Sequence, residues 1–114
     1  MNTISNKVQL IGHLGNDPEI KTISGNRKMA RFSIATNEVR FNKAGEKITE
    51  TQWHNIVFWG SLAAVCEKYL SKGQEVAVEG RLGYRMYTDK ENINRFITEI
   101  TGTDLLMISN RKAG

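Results

Sequence analysis

The chain predicts an all-β fold with one helix, a small closed barrel with extended hairpins. Three observations carry this. Long β-branched and aromatic runs alternate between apolar and polar residues, the mark of half-buried strands. Only Ser61 to Leu70 has good helical spacing, and it falls between strands. Polar turn residues separate the remaining runs, and many strands with a single helix close most simply as a barrel.

The elements follow in order. Lys7-Val8-Gln9-Leu10-Ile11-Gly12 alternates and reads as the first strand. Asn16-Asp17-Pro18 is turn chemistry, because proline fixes the backbone where a strand must break. Ser24-Gly25-Asn26 is a second turn. From Lys28 to Asn37, Ala30, Phe32 and Ile34 point one way, while Arg31, Ser33 and Ala35 point the other. Asn42 to Lys47 is polar and predicts a hairpin tip. The next strand is Thr51-Gln52-Trp53-His54-Asn55-Ile56-Val57-Phe58-Trp59, ending at Gly60. Ser61 can cap the helix; Leu62, Val65, Cys66, Tyr69 and Leu70 form its apolar stripe, and Gly73 stops it. Glu75 to Met86 is a long strand, Asp89 to Asn94 a charged hairpin, and Arg95 to Ile100 the returning strand, with Thr103 to Ile108 extending it. This order fits a five-stranded oligonucleotide-binding (OB) barrel with its helix between the third and fourth barrel strands.

The tryptophan strand is the most informative segment. Side chains alternate across a strand. Trp53, Asn55, Val57 and Trp59 therefore share one face; Gln52, His54, Ile56 and Phe58 share the other. A core face would not normally hold Asn55, nor a solvated face two indoles. Two indoles roughly 20 Å apart on one face suit a flat repeating partner, such as the bases of a single strand. Either tryptophan could equally be core, since the residue is mostly buried on average.

The bulk numbers agree with an anionic partner. The chain has 114 residues, enough for one domain with a real core, and a net charge of +4. Its sequence pI is about 9.4, which favours nucleic acid. Basic residues interleave with aromatic ones: Arg40 beside Phe41, Lys43 and Lys47 at the hairpin tip, Arg81 and Arg85 near Tyr84 and Tyr87, and Arg95 across the turn. Candidate stackers are Phe41, Trp53, Trp59, Tyr84 and Tyr87. Tyr84 shares parity with Leu82 and Met86, which makes a core or subunit contact its better reading.

Other function classes lack their residues. There is no phosphate loop and no HExxH pair. His13, His54 and Cys66 have no metal-ligand spacing. His54 opposes Trp53 in parity and reads as a structural hydrogen bond in the core or between subunits. Cys66, the sole cysteine, rules out an internal disulfide and reads as a small buried hydrophobe. The expectation is a non-enzyme with no cofactor and no metal. No run approaches a membrane span.

Six ordered blocks then carry a resemblance: Asn6-Lys7-Val8, Gly12 to Glu19, Ala35-Thr36-Asn37-Glu38, Thr51-Gln52-Trp53-His54, Glu67 to Gly73, and Val78-Glu79-Gly80-Arg81-Leu82. From about Asn6 to Ile108 the chain resembles the bacterial and mitochondrial-type single-stranded DNA-binding proteins. The resemblance implies an OB barrel assembling as a homotetramer with DNA wrapped around it, active in replication, recombination and repair. It implies base stacking at Trp53, Trp59 and Tyr87, and phosphate pairing at Lys7, Lys72, Arg85 and Arg95; the interleaving adds Phe41 to the stackers and Arg81 to the phosphate contacts. It implies a subunit contact at His54 and dimer pairing along the first strand, at Val8 and Leu10. A cytoplasmic, nucleoid-associated protein follows.

Three departures accompany it. The family commonly carries an aromatic stacker near Val39 to Phe41; here the aromatic is Phe41, after Arg40. Asn55 stands where some relatives carry an arginine. The family continues into a long linker and an acidic tip that recruits replication and repair enzymes, whereas residues 109–114 here are short and basic. The expected organisation is one DNA-binding domain, residues 1–108, and that short end; the tail is either trimmed or absent, and protein partners are expected only if the native gene encodes one. Two rival readings share the barrel: a dimeric primosome-type interaction module, which would lack most stackers, and an RNA-binding appendage of an enzyme.

Overall fold

The computed structural model describes residues 3–109. A 3₁₀ turn at Thr3–Asn6 precedes β1 (Val8–Leu14), β2 (Glu19–Ile23), β3 (Arg27–Phe41), β4 (Lys47–Trp59), α1 (Ser61–Tyr69), β5 (Glu75–Thr88) and β6 (Asn94–Met107). The strands form one sheet in the order β1-β5-β6-β4-β3-β2. An additional pairing of β1 with β3, His13 opposite Ala35 and Leu14 opposite Ile34, closes five of them into a barrel. The sixth, β2, lies outside the ring and pairs only with β3. The closed five-stranded barrel with one helix is the expected class.

All neighbours in the barrel are antiparallel except β4 and β6. These run parallel and pair at only two positions, Ile56 with Ile100 and Val57 with Thr101. Beyond them the strands diverge, and the side-chain amide of Asn55 donates to the Thr98 carbonyl at 3.3 Å.

The alternation read along residues 28–37 is the alternation observed. Ala30, Phe32 and Ile34 are buried, and with Ile56, Phe58, Val76, Val78 and Ile100 they fill the barrel. Phe32 and Phe58 stack with ring centroids 6.1 Å apart. Helix α1 adds Ala63, Cys66 and, at its C-cap, Leu70. Tyr69, assigned to the helix's apolar stripe, is exposed, and Ala63 takes the buried place. Ser61 is also not the cap. The N-cap is Gly60, at φ 67°, and no side chain bonds the helix start. At that φ a residue with a Cβ is strained, so the cap position is reserved for glycine and Ser61 begins the helix.

Three further differences concern extent. The segment between the two early turns is itself a strand, β2, in register with β3 from Glu19–Arg31 to Ile23–Arg27. β3 runs on to Phe41, and β4 begins at Lys47, so the polar tip is shorter than its sequence suggests. β6 is continuous to Met107 and absorbs the break near Thr103 as a register shift, with Glu79 opposite Asp104 but Gly80 opposite Gly102. Gly80 permits the bend, because a Cβ there would lie 2.3 Å from the Thr101 carbonyl oxygen.

β3–β4 and β5–β6 both project past the barrel as ribbons. This overturns a core position for Tyr84. Its parity is the core parity, but at that point of the β5–β6 ribbon there is no core, and it is 73% exposed. Residues 110–114, most of the basic end, lie outside the described residues.

Candidate nucleic-acid interface

Register fixes which side chains share the outer face. On β4 these are Trp53, Asn55, Val57 and Trp59, opposite Ala35, Ser33, Arg31 and Met29 of β3. On β5 they are Arg81, Arg85 and Tyr87, opposite Thr101, Ile97 and Arg95 of β6. The Val57–Thr101 pair joins the two halves. Strand pairing therefore gathers Trp53, Trp59, Arg81, Arg85, Tyr87 and Arg95, far apart in sequence, on one surface. Phe41 shares it too, at the tip of the β3–β4 ribbon.

Trp53 is 61% exposed, so it is not core. Its position is set from below. A Cβ on Gly15 would lie 2.4 Å from Cζ3 of its ring. The turn carrying Gly15 is fixed in its turn: Gly15 N–H donates to the Ser33 carbonyl at 2.9 Å, and Asn16 Oδ1 accepts from the Ser33 N–H and hydroxyl at 3.0 and 2.9 Å. Next to it, Asp17 Oδ1 accepts the Lys72 backbone N–H at 2.8 Å, tying Lys72's loop to the same turn. A cleft of about 300 Å³ opens beside Trp53, lined by Asn55, Thr98 and Glu99 among others.

Trp59 is half-buried, and the Arg27 guanidinium carbon lies 4.4 Å from the centroid of its ring. A cation over an indole face is favourable electrostatically. Tyr87 is partly exposed near the tip of the β5–β6 ribbon, directly opposite Arg95.

The cations differ in what they already hold. Arg95 Nε donates to Asp89 Oδ2 at 2.8 Å. Asp89 also accepts the Glu91 and Ile93 backbone N–H groups at 2.9 Å, and these bonds, Arg95's first, hold its carboxyl below the usual range. Lys7 Nζ lies 3.5 Å from Glu79, whose carboxyl is lowered chiefly by a 2.6 Å hydrogen bond from Gln9 and then by Lys7. Arg85 Nε lies 3.5 Å from Glu99. Lys7, Arg85 and Arg95 are therefore each already paired with a carboxylate.

His54 bonds Thr36 Oγ1 through Nε2 at 2.9 Å, the structural hydrogen bond its parity suggested. Val8 and Leu10 are half-buried against the barrel core. Among the described residues, Val8 to Ile11 have a strand partner on one side only, β5.

Several members of this surface were not legible as site residues. Arg27, Arg31, Glu99 and Gly15 matter through contacts that cross strands, which alternation alone does not reveal. Asn55, which stands where some relatives carry an arginine, makes a structural bond to Thr98.

A closed OB barrel with a basic and aromatic face running onto two ribbons defines a class of single-strand nucleic-acid binders. The model of the single-strand binding protein family matches residues 5–108. The chain belongs to that family. It is 43% identical to single-stranded DNA-binding protein 1 of Chlorobaculum tepidum, an alignment covering 96% of this chain and 68% of the relative. It is 38% identical to the single-stranded DNA-binding protein of Xanthomonas campestris, over 96% of this chain and 63% of the relative. Among solved structures it matches a Plasmodium falciparum SSB in complex with ssDNA at a TM-score of 0.84 and 37% identity, covering 96% of this chain and all of that one. Among the described residues no helix is long and apolar enough to cross a membrane.

Proposed function

We infer that this chain binds single-stranded DNA, whatever its sequence, along the outer face of β4, β5 and β6. It coats exposed strands during replication, recombination and repair. The family's work is binding rather than catalysis, and the chain acts by occupancy. The observation that carries the reading is Trp53. A large indole is left mostly exposed, yet is braced by Gly15 and flanked by Asn55 and the cleft. Trp53, Trp59, Tyr87 and Phe41 serve as base platforms, because every base has a π-face. Lys7, Lys72, Arg81, Arg85 and Arg95 meet phosphates.

Assembly as a homotetramer belongs to the same proposal. Support comes from the other face of the β5–β6 ribbon, where Leu82, Tyr84, Met86 and Phe96 are all exposed. It also comes from the free edge of β1. The Val8 and Leu10 side chains serve the protomer's own core, so this strand meets a second copy through its backbone, with His54 nearby on the opposite face from Trp53. Recruitment of replication and repair proteins requires an acidic tail in the native gene, and the nucleoid is the expected location.

Titration with oligo-dT tests the reading. Tryptophan emission should be quenched, and affinity should fall with salt at a slope of about −0.7 per phosphate neutralised. Trp53→Ala and Trp59→Ala should each cost about 1–3 kcal/mol in binding. Light scattering should give four protomers; a stable dimer would overturn the tetramer, and wild-type protein that ignores oligo-dT at low salt would overturn the binding face.

A further inference from the structure

We infer that Glu99 is a positioning residue for DNA, an anion built into the binding face that holds two arginines in place for phosphate. The inference rests on the binding face proposed above.

Glu99 is unlike the other carboxylates of that face. Its side chain is only 13% exposed, the least of the three, against 21% for Asp89 and 33% for Glu79. One oxygen faces each of two arginines: Oε1 lies 3.5 Å from Arg85 Nε and Oε2 lies 4.0 Å from Arg31 Nε. The three residues come from three strands, β3, β5 and β6. Beneath them Val57, an outer-face residue by register with Arg31, is only 2% exposed. The charges thus rest on an apolar floor. Across from Glu99 on β5 stands Gly83, where a Cβ would meet nothing within 4 Å. That gap gives Arg85 room to lean toward Glu99.

Both arginines approach through Nε. A guanidinium approached at its Nε edge still carries terminal N–H groups on its other edges; one of Arg31's terminal nitrogens donates weakly to Met29 Sδ at 3.8 Å. Neither contact is short. Arg31 Nε and Glu99 Oε2 are buried and have no hydrogen-bond partner, so this pair interacts as charges rather than through a formed bond. Two guanidiniums drawn to one site repel each other unless an anion sits between them. Glu99 is that anion, and it keeps the pair together before phosphate arrives. A phosphate on the far side then completes an alternation of negative, positive and negative groups.

The consequence has an unusual sign. Removing a negative charge from a surface that binds a polyanion ordinarily tightens binding. Glu99→Gln should weaken it. In oligo-dT titrations the expected loss is roughly tenfold, the size of one charge-assisted hydrogen bond, and the salt slope should shrink by about 1. Glu19→Gln is the matched control, because Glu19 lies opposite Arg31 on β2 and should bind as tightly as wild type or tighter. Arg85→Ala separates the two readings. If Arg85→Ala weakens binding while Glu99→Gln matches or exceeds wild type, the positioning role is overturned and the face stands. If Arg85→Ala binds like wild type, the face has been assigned wrongly and the inference goes with it.

Loss of the fold in Glu99→Gln, read by circular dichroism, would shift the test to the intact protein. The side-chain Nε–H resonances of Arg31 and Arg85, assigned through Arg31→Lys and Arg85→Lys, should be visible at neutral pH and should persist when oligo-dT is added. Their disappearance on adding DNA would mean the arginines leave Glu99 to bind, which overturns the inference.

Discussion

Gly15 and Trp53 fit together so closely that the smallest side chain cannot be placed between them: a Cβ on Gly15 would stand 2.4 Å from Cζ3 and 3.0 Å from Cη2 of the indole. The turn after β1 is thus the back of the Trp53 platform. Because the indole is mostly exposed, it can swing outward rather than break the fold. Gly15→Ala should therefore lower oligo-dT affinity by about 1–3 kcal/mol, the value of one stack. The melting temperature should move little. A large fall in melting temperature with unchanged affinity would contradict the arrangement.

Gly102→Ala should behave in the opposite way. Its Cβ would lie 2.2 Å from Cε1 of Phe58, a fully buried ring that cannot swing out. Overpacking of this kind costs about 1–3 kcal/mol. For a domain of this size each kcal/mol shifts the melting temperature by about 4–8 °C. Calorimetry should show the drop, and affinity measured well below the transition should be retained.

Asp89 predicts an acid-sensitive ribbon tip. The Arg95 guanidinium and the Ile93 and Glu91 amides hold its carboxyl below the ordinary 3.8. A depressed folded-state value contributes stability that is present above the unfolded value and lost as pH falls through the folded one. The Glu91 and Ile93 amides should keep their hydrogen-bonded shifts down to about pH 4 and lose them below it in an NMR titration, while the barrel amides hold. Asp89→Asn should abolish that step.

Cys66 predicts a silent thiol. Burial pushes it from 9.0 up to about 12, so the neutral form prevails at neutral pH. For a raised acid the sign is reversed: the contribution to stability is complete below about 9 and is lost as pH rises toward 12. A thiol reagent at pH 8 should label the native protein only as fast as the barrel opens, and labelling should become immediate in denaturant. Prompt labelling without denaturant would contradict the burial.

The sequence foretold the parts of this molecule that depend on local alternation. Ala30, Phe32 and Ile34 point inward and Trp53 outward because a strand offers only two sides. It foretold less where the outcome depends on what lies next to a strand. Glu19 to Ile23 is too short and too closely bracketed by turns to announce itself as β2. Tyr84 has core parity yet projects beyond the barrel. The pairing of Arg27 with Trp59, and of Glu99 with Arg31 and Arg85, follows from register between strands that lie far apart in the chain. Alternation gives the face of each residue but not its neighbour across the sheet.

The closure of the barrel also bears on how the chain comes to be folded. β1 pairs with β5, Val8 opposite Gly80, and β4 reaches its second neighbour only when β6 arrives at Ile100. Until then the tryptophan strand has an open edge. Because β1 meets β3 at only two positions, a growing polypeptide must be released past Gly80 before its first strand finds its longer partner, and such non-local pairing is slow to form, on the order of milliseconds to seconds. During that interval the helix and the β2–β3 and β3–β4 hairpins can organise locally, and the face proposed for DNA does not exist until the last strand is in place.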